Sequence, residues 1–124
     1  MDKALIFSRE ELEKLCREWQ GILRLNDWDI TILIDRKYNF ELTNVWGECK
    51  AFLCDKEAFI RIIDPIDINS LFRFDMEELL IHELLHCHFK PFEAEDGTLE
   101  DKLQEQVIQT LAKSLLNLKR KVVT

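Results

Sequence analysis

The sequence predicts an α+β domain, and three observations carry that reading. Trp28-Asp29-Ile30-Thr31-Ile32-Leu33-Ile34-Asp35 alternates with period two and sets Trp28, Ile30, Ile32 and Ile34 on one face of a strand. Two further β-like runs follow it, separated by a short polar segment as in a hairpin. Around these lie three stretches with apolar residues at helical spacing, each behind a recognisable N-cap. The order helix, three strands, helix, helix implies an N-terminal helix, a small three-stranded antiparallel sheet, and two C-terminal helices, with the sheet packed on one side of the first of those two.

The elements follow in order. Ser8 with Glu11 three residues on forms a capping box, flanked by Phe7 and Leu12, and opens a helix of about residues 9 to 25. Its core stripe is Leu12, Leu15, Cys16, Trp19, Ile22 and Leu23. Asn26-Asp27 turns the chain into the strand Trp28 to Asp35. Arg36 to Thr43 reads as a loop carrying the sole tyrosine, Tyr38. Val45 to Cys54 and Ala58 to Ile63 are the hairpin strands, joined through Asp55-Lys56-Glu57 and closed by Asp64-Pro65. Ile66 to Phe74 is a connection. Asp75 caps the next helix, and Pro91 stops it just after Lys90. An acidic loop, Phe92 to Gly97, leads to Thr98, which with Asp101 caps a last helix running to about Leu118. The apolar face of that helix is read as Leu103, Val107, Ile108, Leu111, Leu115 and Leu118, and Lys119-Arg120-Lys121 as a basic tail after it.

Composition bounds the class. At 124 residues the chain fits one domain spanning 1–124, and with 47% hydrophobic residues, three Gly and two Pro it reads as globular. Seventeen basic against 24 acidic residues leave a net charge of −7, which argues against nucleic acid or an anionic membrane as partner. No stretch is long enough to span a bilayer, and the apolar run within Met1 to Glu10 is too short for a signal peptide, so the expected compartment is the cytoplasm. Cys16, Cys49, Cys54 and Cys87 lack C-x-x-C spacing and are read as buried, reduced thiols.

The chemistry sits in His82-Glu83-Leu84-Leu85-His86, an H-E-x-x-H inside the apolar run from Leu79. On a helix, positions i and i+4 share a face, so both imidazoles reach one metal ion while Glu83 stands beside them. Zinc held by three protein ligands keeps one position open for water, and an adjacent carboxylate takes that water's proton. Packed without metal or partners, these polar side chains would cost several kcal/mol among leucines.

Two histidines are not enough, and the third ligand has several possible sources. His88 lies about 200° around the helix from His86 and Cys87 about 100°, so neither shares the ion easily. Carboxylates Glu95, Glu100, Asp101 and Glu105 remain. If the last two helices pack antiparallel, the histidines lie about 4.5 and 10.5 Å from the end of theirs, while Glu105 lies about 10 Å and Glu100 about 3 Å into the next, which favours Glu105. The helical wheel favours Glu100, which is nearer the centre of the expected apolar stripe. Spacing leaves Glu105 slightly ahead.

His82-Glu83-Leu84-Leu85-His86, followed by Glu105-Gln106-Val107-Ile108-Gln109-Thr110-Leu111-Ala112, resembles the gluzincin arrangement of H-E-x-x-H with a downstream glutamate on the next helix. With Trp28 to Ile34 as a first strand and Ala58 to Ile62 as the strand before the motif helix, most of the chain is similar to the small minigluzincin-like metallopeptidases of bacteria and their phages. The resemblance implies a zincin-like fold, zinc as cofactor, His82, His86 and Glu105 as ligands, Glu83 as general base, and a peptide or protein substrate. It also implies that Ala58 to Ile63, as the strand nearest the site, pairs with extended substrate. Gln109 stands where gluzincins often carry an acid or a small residue. No Tyr or His follows Glu105, which leaves Tyr38 or His88 as oxyanion donors.

The resulting expectation is a cytoplasmic zinc-dependent metallopeptidase in which Glu83 deprotonates a zinc-bound water that attacks a peptide carbonyl. The alternative is a catalytically weak, zinc-stabilised peptide-binding or regulatory module.

Overall fold

The computed structural model describes residues 4–123; Met1, Asp2 and Lys3 of the N-terminal segment lie outside the described residues, as does Thr124. Helix α1 (Arg9–Leu23) opens on the capping box, with Ser8 and Glu11 each accepting from the other's backbone N–H at 3.1 and 2.8 Å. It ends two residues earlier than the apolar spacing suggests, because Arg24 turns left-handed (φ 62°) and its N–H folds back onto the last carbonyls.

Strands β1 (Asp29–Asp35), β2 (Gly47–Phe52) and β3 (Glu57–Ile63) form one sheet in the order β1-β3-β2. The α+β class is as expected, but the sheet is mixed: β3 runs antiparallel to β2 and parallel to β1. The central place falls to β3 because it is the strand most deeply buried, with Ala58, Ile60, Ile62 and Ile63 all withdrawn from solvent. The connection from Arg36 to Trp46 carries the chain across to the far side of that slot. Asp67 holds its start, accepting from Arg36 Nε and Nη2 at 2.9 Å each and from the Lys37 N–H at 2.7 Å. Three rows face inward across the sheet: Ile30, Ala58 and Ala51; Ile32, Ile60 and Cys49; Ile34, Ile62 and Gly47.

Helix α2 (Met76–Phe89) lies against those rows and is flanked by α1 and α3 (Leu99–Val123). Asp75 caps it, accepting from the Glu77 and Glu78 N–H groups at 3.1 and 3.3 Å. It is buried on most sides, with Met76, Leu80, Ile81, Leu84, Leu85 and Cys87 in the core. Glu77, also buried, accepts from Trp19 Nε1 at 2.7 Å and from Lys119 Nζ at 2.6 Å, while Arg120 donates to Asp75 at 2.8 Å. The expected basic tail is therefore a clamp: α3 runs to Val123, and Lys119 and Arg120 tie it to the start of α2.

The buried face of α3 keeps two of the six expected residues, Ile108 in the core and Leu115 packed against it, and leaves out the other four. Ile108, Ala112 and Leu116 are in the core, whereas Leu103, Val107, Leu111 and Leu118 are exposed. Both stripes are apolar; the one turned inward also carries Glu105 and Gln109, which the α2 histidines need as partners. Cys16 and Cys87 are buried as expected and Cys49 is half-buried, but Cys54 lies exposed in the β2–β3 turn. Among the described residues no helix is long and apolar enough to cross a membrane.

Candidate metal centre

One helical turn separates His82 from His86, and their ring centroids lie 5.3 Å apart. Each turns Nε2 toward a different oxygen of the same carboxylate: His82 Nε2 stands 3.0 Å from Glu105 Oε2, and His86 Nε2 stands 2.9 Å from Glu105 Oε1. Ligand atoms of the three residues all fall within 4.8 Å of one another. Tetrahedral zinc, with bonds of about 2.0–2.1 Å, places its ligand atoms about 3.3 Å apart, a few tenths of an ångström more than the two nitrogen–oxygen distances here. The donor set, two imidazoles and a carboxylate, suits zinc.

Gln109 lies one turn beyond Glu105 on the same face. Its Nε2 donates to Glu78 Oε2 at 3.1 Å, which leaves Oε1 to accept from His82 Nδ1–H at 2.7 Å. The amide thus assigns the proton to Nδ1 and turns the other ring nitrogen toward Glu105. Burial alone would lower the His82 pKa, but hydrogen bonding to Glu105, the nearby Glu83 and Gln109 outweigh it and raise it to about 9. Burial and the neighbouring His82 would lower His86 as well, but its hydrogen bond to Glu105 and the nearby Glu83 raise it. Glu105, hydrogen-bonded to both rings, is held well below the usual carboxylate range. Without metal, the two histidines hold protons where zinc would bind, so zinc uptake must release them.

Glu83 is buried, and burial raises its pKa to about 7 even though His82 and His86 pull the other way. Its carboxylate rests against Gly47 at the start of β2. A Cβ on that glycine would stand 2.9 Å from Glu83 Oε2, so the close approach requires its absence. Gly47 takes this place because it belongs to the inward row with Ile34 and Ile62.

The cluster opens into a cleft of about 1430 Å³ bordered by β2 along its length, by α2, and by the first turns of α3. Strand β2 pairs with β3 along one side, while β3 is paired on both. The expectation that Ala58 to Ile63 receives substrate is therefore corrected: that strand has no edge to offer, and β2 is the edge strand beside the site.

The other candidates are placed elsewhere. Glu95 and Glu100 are exposed and outside the cleft lining. Asp101 lines the cleft but is engaged in capping α3: its N–H donates to Thr98 Oγ1 at 3.2 Å and its Oδ2 accepts from the Gly97 N–H at 3.1 Å. His88 donates through Nε2 to the Leu23 carbonyl, toward α1, and Tyr38 is exposed under the Arg36 guanidinium; neither lines the cleft. Cys87 is a hydrogen-bonding neighbour of Cys49, and that contact together with burial pushes the Cys49 thiol far up. Sequence reasoning did not assign Gly47 or Gln109 to the site. Each left a signal: a glycine inside a strand pattern, and an amide one turn from the candidate ligand.

No protein-family model, curated protein or solved structure matches the chain.

Two predictions follow from this geometry. A His82 pKa raised to about 9 in the folded state favours the protonated form, so its contribution to stability is complete below about pH 6.5 and is lost as pH rises through about 9. Glu83, raised to about 7, acts in the same direction, with its contribution complete below about pH 4.5. Thermal melts of the metal-free protein should show a midpoint that falls between pH 6.5 and 9, and Glu105→Gln should flatten the His82 part of that fall. The second concerns Gly47→Ala, which displaces the Glu83 carboxylate while leaving the three clustered side chains in place. Zinc affinity by isothermal titration should stay within about threefold of the parent, and the Glu83 part of the fall in melting midpoint should shrink.

Proposed function

We propose that this chain is a zinc-dependent metallopeptidase that hydrolyses a bond in a peptide or protein substrate. The observation that carries the reading is the convergence of His82 Nε2, His86 Nε2 and both Glu105 oxygens, within 3.0 Å, beside a buried Glu83 and an edge strand. His82, His86 and Glu105 would hold the ion; bound there, zinc supplies a Lewis acid that polarises a carbonyl and acidifies water. An extended peptide adds to β2 through backbone hydrogen bonds, which lays its carbonyls along the cleft above α2. Glu83 takes a proton from the attacking water and returns it to the leaving amine. Burial raises the proton affinity of this carboxylate above that of an exposed glutamate, which suits it to take that proton. Gln109 and Glu78 keep His82 in the ligating tautomer.

A second reading, a zinc-stabilised module that binds an extended peptide and cleaves it weakly or not at all, is favoured by one observation. Neither Tyr38 nor His88, the candidate oxyanion donors, lines the cleft. The four free thiols suit a reducing compartment, and we assign the protein to the cytoplasm on that ground.

Glu83→Gln separates the two readings. On a fluorescence-quenched peptide library loaded with one equivalent of zinc, the parent should cleave and Glu83→Gln should lose about 10²–10⁴-fold while binding zinc as before. Zinc binding with no cleavage by the parent would favour the binding module.

A further inference from the structure

Helix α3 turns one apolar strip inward and leaves a second uncovered. Leu99, Leu103, Val107, Leu111 and Leu118 are 66%, 50%, 49%, 38% and 59% exposed. At about 100° per residue they fall on one face of the helix, and Leu103 lies about 160° around the axis from Glu105. The strip therefore faces away from the metal centre. An uncovered apolar strip of this length on a helix that is otherwise well packed marks an interaction surface.

We propose that this strip pairs with the same strip of a second copy of the chain, antiparallel about a two-fold axis passing between Thr110 and Leu111. The argument is that the strip is its own complement when reversed. About that axis residue i faces residue 221 − i of the other copy, so Leu103 meets Leu118, Val107 meets the small Ser114, and Leu111 meets Thr110. Glu100, exposed at one end of the strip, meets Lys121, exposed at the other. Each pair occurs twice, as an isologous interface requires, and the two charge pairs fix both direction and register. A parallel pairing would instead set Glu100 against Glu100 and Lys121 against Lys121. An anionic membrane is a poorer occupant, since Glu100 lies within the strip and the chain carries a net charge of −7. The interface is a single helix pair, at the small end of specific interfaces, which calls for measurement at high protein concentration. The cleft stays open in it, because Glu105 points to the other side of α3.

Sedimentation equilibrium of the full chain, with chelator and again with one equivalent of zinc, tests this. Over concentrations up to about 200 µM, the mass should rise from 14.8 kDa toward twice that value in both conditions. Glu100→Lys and Lys121→Glu should each weaken association about fivefold or more. The double variant should restore it, and so should an equimolar mixture of the two single variants, because each mixed pair then joins opposite charges. Leu103→Glu should abolish association while its helical circular dichroism and melting midpoint stay close to the parent's. A parent that remains monomeric throughout would overturn the proposal, as would a dimer indifferent to the charge reversals. Binding to phosphatidylglycerol vesicles in place of self-association would also overturn it.

Discussion

The pairing of the α2 histidines with Glu105 of α3 is the constraint around which the structure is arranged. Helix α2 is the most enclosed element, with apolar side chains on nearly every side, yet it carries Glu77, His82, Glu83 and His86. None of these is tolerable there without a partner, because an isolated polar group in such surroundings costs several kcal/mol. Glu77 is answered by Trp19 and Lys119, and the two histidines by one carboxylate. The position of α3 follows from both ends at once: Lys119 and Arg120 anchor its C-terminal part to the start of α2, and Glu105 anchors its N-terminal part beside His82 and His86.

The same constraint explains why α3 buries the less obvious of its two faces. A count of apolar residues favours the strip with Leu103, Val107, Leu111 and Leu118. The strip with Ile108, Ala112 and Leu116 wins because it brings Glu105 and Gln109 along with it. Glu83 is the exception in this scheme, since it is buried against Gly47 with its charge opposed by desolvation and only partly relieved by the histidines. Polar groups held in such a state tend to mark functional sites, where stability is given up for chemistry.

Much of this was legible from the residues alone. The capping box at Ser8, the Thr98 and Asp75 caps, the alternation from Trp28 to Ile34 and the H-E-x-x-H spacing are local signals, and each element they announce is present within a residue or two of its expected bounds, α3 alone running on past Leu118. What was not legible depends on pairing between distant segments. Strand order is one case: adjacent strands usually pair, but β3 took the centre because its burial on the α2 side is most complete. The inward face of α3 is another, because two apolar stripes compete and the outcome rests on partners supplied by α2. Gln109 and Gly47 belong to the same class, since their roles exist only once α3 and β2 are placed beside α2.

We propose that the His82, His86 and Glu105 side chains form one zinc site. The most direct measurement is zinc X-ray absorption on the protein loaded with one equivalent of metal, compared with Glu105→Ala. A shell of two imidazole nitrogens and carboxylate oxygen at about 2.0–2.1 Å, with the carboxylate contribution and most of the affinity lost in Glu105→Ala, is the predicted result. Failure to take up stoichiometric zinc, or a spectrum unchanged by Glu105→Ala, would contradict it.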